Sequence, residues 1–215
     1  MKGKIVGLDA SQIRDGMMAL ATTDAQIAAA LARHGLPAPR VRPRGYATLL
    51  QAIVSQQVST AAAASIWNRL RITIGELDDP MRMLAIDADS LRRAGLSRMK
   101  VEYVKSLAGH IVDGSLPLDQ LPASDEDAIQ LISAVRGLGR WSAEIYLLFA
   151  EGRPDIFPAG DLALKVQAGR LFADGTRLSE KPLRQLSARW QPNRSAAALF
   201  LWHCYNATPL QDGAA

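Results

Sequence analysis

Three features of the sequence predict an all-helical chain. Apolar residues recur at spacings of three and four through long alanine- and leucine-rich stretches. No segment sustains the alternation of a half-buried strand. Capping residues and glycines punctuate the apolar runs at helix-like intervals.

The elements follow in order. A helix is expected from about Asp24 to His34, with Thr23 as its cap and Gly35 as its stop. Pro37 to Pro43 then imposes an extended connector, because proline fixes its own φ and disfavours helix in the residue before it. Tyr46 to Leu70 is rich in helix formers, but Ser55, Gln56, Gln57, Val58 and Ser59 break its apolar stripe. Two helices meeting at a polar corner are expected there. Further helices fall near Asp89–Ala94, Arg98–Asp113 and Asp125–Val135. Gly95 and Gly114 stop the first two, and Ser97 and Ser124 cap the last two. Trp141–Glu151, Asp161–Phe172, Pro182–Trp190 and Asn193–Asn206 complete the set, and Gln211 to Ala215 read as a frayed tail.

Composition narrows the class. The 215 residues suit one domain or one pair of interlocked lobes. With 48% apolar and 21% charged residues, a disordered or collagen-like chain is excluded. Cys204 is the only cysteine, which rules out an intramolecular disulfide and a four-cysteine zinc or iron–sulfur site. No apolar run reaches the roughly 18 residues of a membrane span and no leader pattern opens the chain, so a soluble cytoplasmic protein without a membrane partner is expected. A net charge of +4 permits a nucleic-acid partner without requiring one. His34, His110 and His203 show no ligand spacing with Cys204, and Ser55 and Ser59 lack a nearby histidine signature. Arg92, Arg93, Arg98, Lys100 and Lys105 form a basic window that suits either a phosphate-tracking face or a solvated helix surface.

The most informative segment is Ile132-Ser133-Ala134-Val135-Arg136-Gly137-Leu138-Gly139-Arg140-Trp141-Ser142-Ala143. Two glycines flank one apolar residue between a helix that ends and another that begins. Glycine lets the backbone turn tightly and approach a ligand closely, with Leu138 plugging the turn into the core. A helix start attracts phosphate through first-turn amides that lack intrahelical partners, and through its dipole. Arg136 and Arg140 add charge beside it. A plain glycine-containing αα-corner fits the spacing equally well.

Val-Arg-Gly-Leu-Gly-Arg-Trp-Ser-Ala resembles the hairpin of the helix–hairpin–helix DNA glycosylases. Asp161, within Phe157-Pro158-Ala159-Gly160-Asp161, resembles their Pro-x-x-Asp loop. Ala52 to Ser59, Gly95 to Lys100 and Trp190 to Ser195 resemble three further blocks, in the family's order. The likeness runs from Tyr46 to about Tyr205 and is closest to the DNA-3-methyladenine glycosylase II family.

The resemblance implies two lobes with a DNA-binding cleft between them, 46–157 forming one and 1–45 with 158–215 the other, the hairpin lying at about 125–151. It implies a monomer that takes double-stranded DNA carrying a damaged base. Asp161 would be the catalytic carboxylate, stabilising an oxocarbenium-like sugar and orienting water; its alternative reading is a plain N-cap. Trp141 and Trp202 would border the base pocket, where an indole face attracts a cationic alkylated purine. Both also suit a core, as Trp67 and Trp190 do. Gln57 takes the position of the wedge that fills the gap left by a flipped base, with a buried corner cap as its alternative, and Gln56 would hydrogen-bond nearby bases. Gly137, Gly139, Arg140 and Ser142 would hold phosphate. The main-chain carbonyls of Ser133, Val135 and Leu138 would hold a monovalent cation, Na+ or K+, no other cofactor being required. Family members that also cut the strand carry a lysine where this chain has Trp141, so no lyase activity is expected. The rival readings are a glycosylase for oxidised or mismatched bases, against which the tryptophans and missing lysine speak, and a non-catalytic DNA-binding module, which would have no need of Asp161.

Overall fold

The computed structural model describes residues 7–207, and every regular element among them is helical. The chain divides into two compact units, one of residues 42–146 and one of 7–41 with 147–207 among the described residues. The second division falls within a helix, after Tyr146.

The first unit holds α3 (Tyr46–Val54), α4 (Thr60–Ile74), α5 (Pro80–Ala85), α6 (Ala88–Arg93), α7 (Arg98–Val112), α8 (Asp125–Ser133) and the start of α9 (Arg140–Phe149). Helix α7 packs on α3, α5 and α6. Leu49, Leu50, Ile53, Leu70, Met83, Leu91 and Leu107 are fully buried in this core. The polar corner between α3 and α4 lies where the broken apolar stripe put it. Helix α5 was not anticipated: it is a short element that Asp79 caps through the amides of Met81 and Arg82, with Pro80 in its first turn. Trp67, expected in the core, is only half-buried and lines an open depression with Arg71, Leu77 and Arg82.

The second unit holds α1 (Ala10–Thr23), α2 (Ala25–His34), the end of α9, α10 (Leu162–Phe172), α11 (Glu180–Ser187) and α12 (Arg194–Ala207). Helix α12 packs on α1, α2 and α10, and is buried continuously from Ser195 to Trp202. Helix α1 lies outside the elements expected from the sequence pattern, which begin at Asp24. Gly16 faces α12, where a Cβ would stand 3.0 Å from the Ala196 methyl, so its absence permits close helix approach.

Asp24 caps α2, and not Thr23 as the sequence suggested. Its Oδ1 accepts from the amides of Gln26 (3.1 Å) and Ile27 (3.2 Å). Its Oδ2 accepts from the Trp190 indole at 3.0 Å and pairs with Arg189 at 2.9 Å. Trp190 is in turn wedged between Phe157 and Phe172, each with its ring centroid 5.4 Å away. The Gln211–Ala215 tail lies outside the described residues. No helix among those residues is long and apolar enough to cross a membrane.

Asp24→Ala removes a cap, a buried acceptor and an ion-pair partner together, and should cost about 3 kcal/mol. Asp24→Asn keeps one carbonyl acceptor and should cost about half as much. Urea unfolding midpoints at unchanged slope would measure both; a loss below about 1 kcal/mol for the alanine variant would contradict the joint role.

Candidate active site

Asp161 sits at the end of a loop that is fixed before it arrives. The Ile156 amide donates to Ser195 Oγ at 2.9 Å, and that hydroxyl lies 2.6 Å from the Arg153 carbonyl. Arg194 grips Asp155 through Nε at 2.8 Å and Nη2 at 2.9 Å. A tight turn follows, in which the Asp161 amide donates to the Pro158 carbonyl at 2.9 Å. Asp161 is then the N-cap of α10, its Oδ1 accepting from the Leu164 amide at 3.1 Å. The same oxygen accepts from the Trp202 indole at 3.0 Å.

Trp202 therefore has a role that its sequence position does not announce. It is 8% exposed, stacks on Phe149 with centroids 5.5 Å apart, and directs its indole N–H at the candidate carboxylate. With so little ring surface open, Trp202 meets Asp161 through its indole N–H and presents little of its face to solvent. Trp141 behaves differently. It is 45% exposed at the start of α9, in the other unit.

The hairpin between α8 and α9 has the expected shape. Leu138 is buried, and its amide closes the turn on the Val135 carbonyl at 3.0 Å. Gly137 has φ +91°, and a Cβ there would overlap the Tyr103 ring. Gly139 takes the cap position, its carbonyl accepting from Ala143 at 3.1 Å, and a Cβ there would meet open space. The two glycines thus answer different demands: Gly137 belongs to the fold, whereas Gly139 leaves the helix start uncovered.

The hairpin charge is lower than its sequence suggests. Arg140 binds Glu126 through Nη1 at 2.8 Å and Nη2 at 2.7 Å, and reaches buried Glu144 through Nε at 3.0 Å. The hydrogen bonds to Glu126, opposed by desolvation and aided by the charge of Glu144, push the guanidinium still further up from its ordinary range. Arg136 pairs with Glu102 at 2.8 Å. Ser142 is buried, so any part it plays at the hairpin runs through its main-chain amide.

At the α3–α4 corner, Gln57 is exposed with φ +53°, which is not the buried cap of its alternative reading. Gln56 donates through Nε2 to the Gly137 carbonyl at 2.9 Å. The basic window divides: Arg92, Arg93 and Arg98 are exposed, but Lys100 is buried and donates to the Val54 carbonyl at 2.7 Å. Burial draws the Lys100 ammonium down from its ordinary range. Lys105 donates to the carbonyls of Leu84 and Ile86. These two lysines serve the interior and not a phosphate-tracking face. Tyr103, Glu126 and Glu144 escape sequence reasoning, and Lys100 enters it only as part of a basic window; of the three, only Glu144, one helical turn from Arg140, leaves a readable spacing.

The glycine hairpin and the anchored loop that ends on a capping aspartate both lie within the span of a known family pattern. The chain belongs to the HhH-GPD superfamily of base excision DNA repair proteins, whose family pattern matches residues 50–192. A Bacillus subtilis protein provisionally assigned to the DNA-3-methyladenine glycosylases is 31% identical over 73% of this chain, which spans 58% of that protein's length. The crystal structure of a Bacillus halodurans DNA-3-methyladenine glycosidase superposes with a TM-score of 0.79 and 27% identity, covering 94% of this chain and 92% of the other. The Schizosaccharomyces pombe 3-methyladenine DNA glycosylase in complex with abasic DNA gives 0.77 and 25%, covering 94% and 100%.

The contrast between the glycines is testable. Gly137→Ala should lose about 2–4 kcal/mol of folding stability, combining the left-handed φ with displacement of Tyr103. Gly139→Ala should stay within about 0.5 kcal/mol of the parent. It should nevertheless bind any duplex at least about tenfold more weakly, since a methyl would hold a phosphate away from the helix start. Thermal unfolding and duplex titration separate the two, and full-affinity binding by Gly139→Ala would remove the hairpin as the phosphate anchor.

Proposed function

We propose that this chain is a monofunctional DNA glycosylase that hydrolyses the N-glycosidic bond of alkylated purines in double-stranded DNA, leaving an abasic strand. The observation that carries the reading is the Asp161 carboxylate, fixed by the Leu164 amide and the Trp202 indole at the end of a pinned loop. The names of the solved relatives, 3-methyladenine glycosylases from a bacterium and a yeast, support the substrate class.

The chemistry follows from charge. Alkylation at N3 or N7 leaves the purine ring cationic. As the bond from C1′ breaks, its electron pair moves onto the ring nitrogen and neutralises the leaving base, so no proton donor is needed. Positive charge develops on the sugar instead. A carboxylate held rigidly beside it stabilises that charge, and water completes the reaction by bonding to C1′ and releasing a proton. Trp141, 45% exposed at the start of α9, offers an indole face to a cationic ring, with a cation–π contribution of about 0.5–2 kcal/mol. An indole has no amine with which to form a Schiff base, and this supports hydrolysis without strand cleavage.

The carbonyls of Ser133, Val135 and Leu138 are proposed to hold Na+ or K+. Their neutral oxygens suit a hard monovalent ion, and the buried Ser133 hydroxyl lacks a hydrogen-bond partner at the same hairpin. Replacing K+ with tetramethylammonium at equal ionic strength should weaken duplex binding several-fold; identical titrations would remove the ion.

Asp161→Asn should abolish release of 3-methyladenine and 7-methylguanine, a loss of at least about a thousandfold, while duplex affinity stays within about threefold. The parent's product should remain an intact strand until alkali is added, and borohydride should trap no covalent adduct. An active asparagine variant would overturn Asp161 as the catalytic carboxylate, and a trapped adduct would overturn the monofunctional assignment.

A further inference from the structure

We infer that Gln56 and Lys100 are positioning residues that fix the α3–α4 corner, and with it the exposed Gln57 side chain, against the Gly-Leu-Gly hairpin. The inference rests on the proposed DNA glycosylase reading, in which Gln57 enters the gap left by a flipped base.

The corner is pinned at three places. At its base, Val54 is the last residue of α3, where helix carbonyls run out of intrahelical partners. The Val54 carbonyl accepts from Lys100 Nζ at 2.7 Å, and a cation at a helix C-terminus also meets the dipole favourably. At its middle, Gln56 Nε2 donates to the Gly137 carbonyl at 2.9 Å, across 81 residues of sequence. At its end, the Ser59 side chain caps α4 by accepting from the Ala62 amide at 3.2 Å. Gly137, which receives the strut, is itself locked by φ +91° beneath the Tyr103 ring.

Between these anchors stands Gln57, exposed and at φ +53°. A non-glycine side chain in the left-handed region persists only where its surroundings impose it. Here the surroundings are Lys100, Gln56 and Ser59, all within one unit. A side chain entering a gap in the duplex needs a fixed height relative to the phosphates on either side. The Gln56–Gly137 bond supplies that reference, joining the corner directly to the hairpin. It also gives Gln56 a different role from base recognition, because its amide is engaged within the protein.

Gln56→Met keeps the length of the side chain and deletes the donor. In the DNA-free protein, the Leu138 amide resonance should shift, since its nitrogen is bonded to the Gly137 carbonyl. In an Asp161→Asn background, the protein is bound to an undamaged duplex and to one carrying a stable abasic analogue opposite 2-aminopurine. Gln56→Met should lower the preference for the abasic duplex by roughly three- to tenfold, the scale of one net hydrogen bond, and shrink the change in 2-aminopurine emission. Affinity for undamaged duplex should stay within about twofold of the background protein. Lys100→Met should act in the same direction, and Lys100→Arg, which retains a donor, should recover part of the loss. Gln57→Ala should reproduce the defect, and adding Gln56→Met to it should cost nothing further, because the strut acts through Gln57. Additive losses would make Gln56 a direct DNA contact and overturn the inference. An unmoved Leu138 amide, no abasic preference in the parent, or an inert Gln57→Ala would each overturn it as well. Failure of the glycosylase reading shows separately, as absence of base release by the unmutated enzyme while abasic preference and its loss in Gln56→Met persist.

Discussion

One oxygen atom accepts the two contacts on which the candidate site depends. Asp161 Oδ1 receives the first-turn amide of α10 and the indole of α12, so a single carboxylate joins the start of one helix to the middle of another. Either bond alone would leave the side chain a rotation; two donors from different elements remove it. Such an arrangement converts an ordinary capping residue into a fixed negative charge, which preorganised electrostatic catalysis requires. Capping and catalysis are therefore not rival readings of Asp161. The cap is the means by which the charge is placed.

The loop before Asp161 obeys the same constraint. A carboxylate is only as fixed as the backbone that carries it, and this backbone is tied to α12 by Ser195 and Arg194. Helix α12 is held in turn by burial along most of its length and by close packing at Gly16. The Asp24–Trp190–Arg189 cluster steadies the preceding turn, where Trp190 rests on Phe157, four residues before the candidate carboxylate. Buried polar groups in this unit are satisfied by partners far apart in the chain, which specifies one arrangement of the helices and disfavours alternatives.

Much of this was readable from sequence wherever the signal is local. The corner at Ser55 to Ser59 showed itself by interrupting an apolar stripe, the hairpin by two glycines around a leucine, and Asp161 as a cap by its place before an apolar run. What escaped is non-local or backbone-mediated. Lys100 stands in a run of basic residues and reads as surface, yet its partner is a main-chain carbonyl 46 residues away, which leaves no trace in side-chain identity. Arg140 reads as a phosphate ligand until Glu126, 14 residues earlier, is seen to take two of its donors. The Trp202–Asp161 bond spans 41 residues, and burial of the indole cannot be inferred from a helix that is apolar on every side. Helix α1 lies outside the expected elements, and the close packing of Gly16 on α12 offsets the local helix penalty of a glycine.

The pairing of the hairpin arginines bears on how such a protein must bind. Long-range attraction to a duplex comes from unmatched positive charge, and both Arg136 and Arg140 face carboxylates. In the proposed reaction, the hairpin then holds phosphate through a helix start and a close glycine backbone, interactions that act only at contact distance. Geometry and not net charge becomes the selective quantity. A duplex that presents its backbone at the wrong height loses the helix-start contacts, and the paired hairpin arginines compensate little. That is also why a rigid link between corner and hairpin matters. When binding is short-ranged, small errors in the spacing of two contact points cost more than the same errors would in a strongly basic groove.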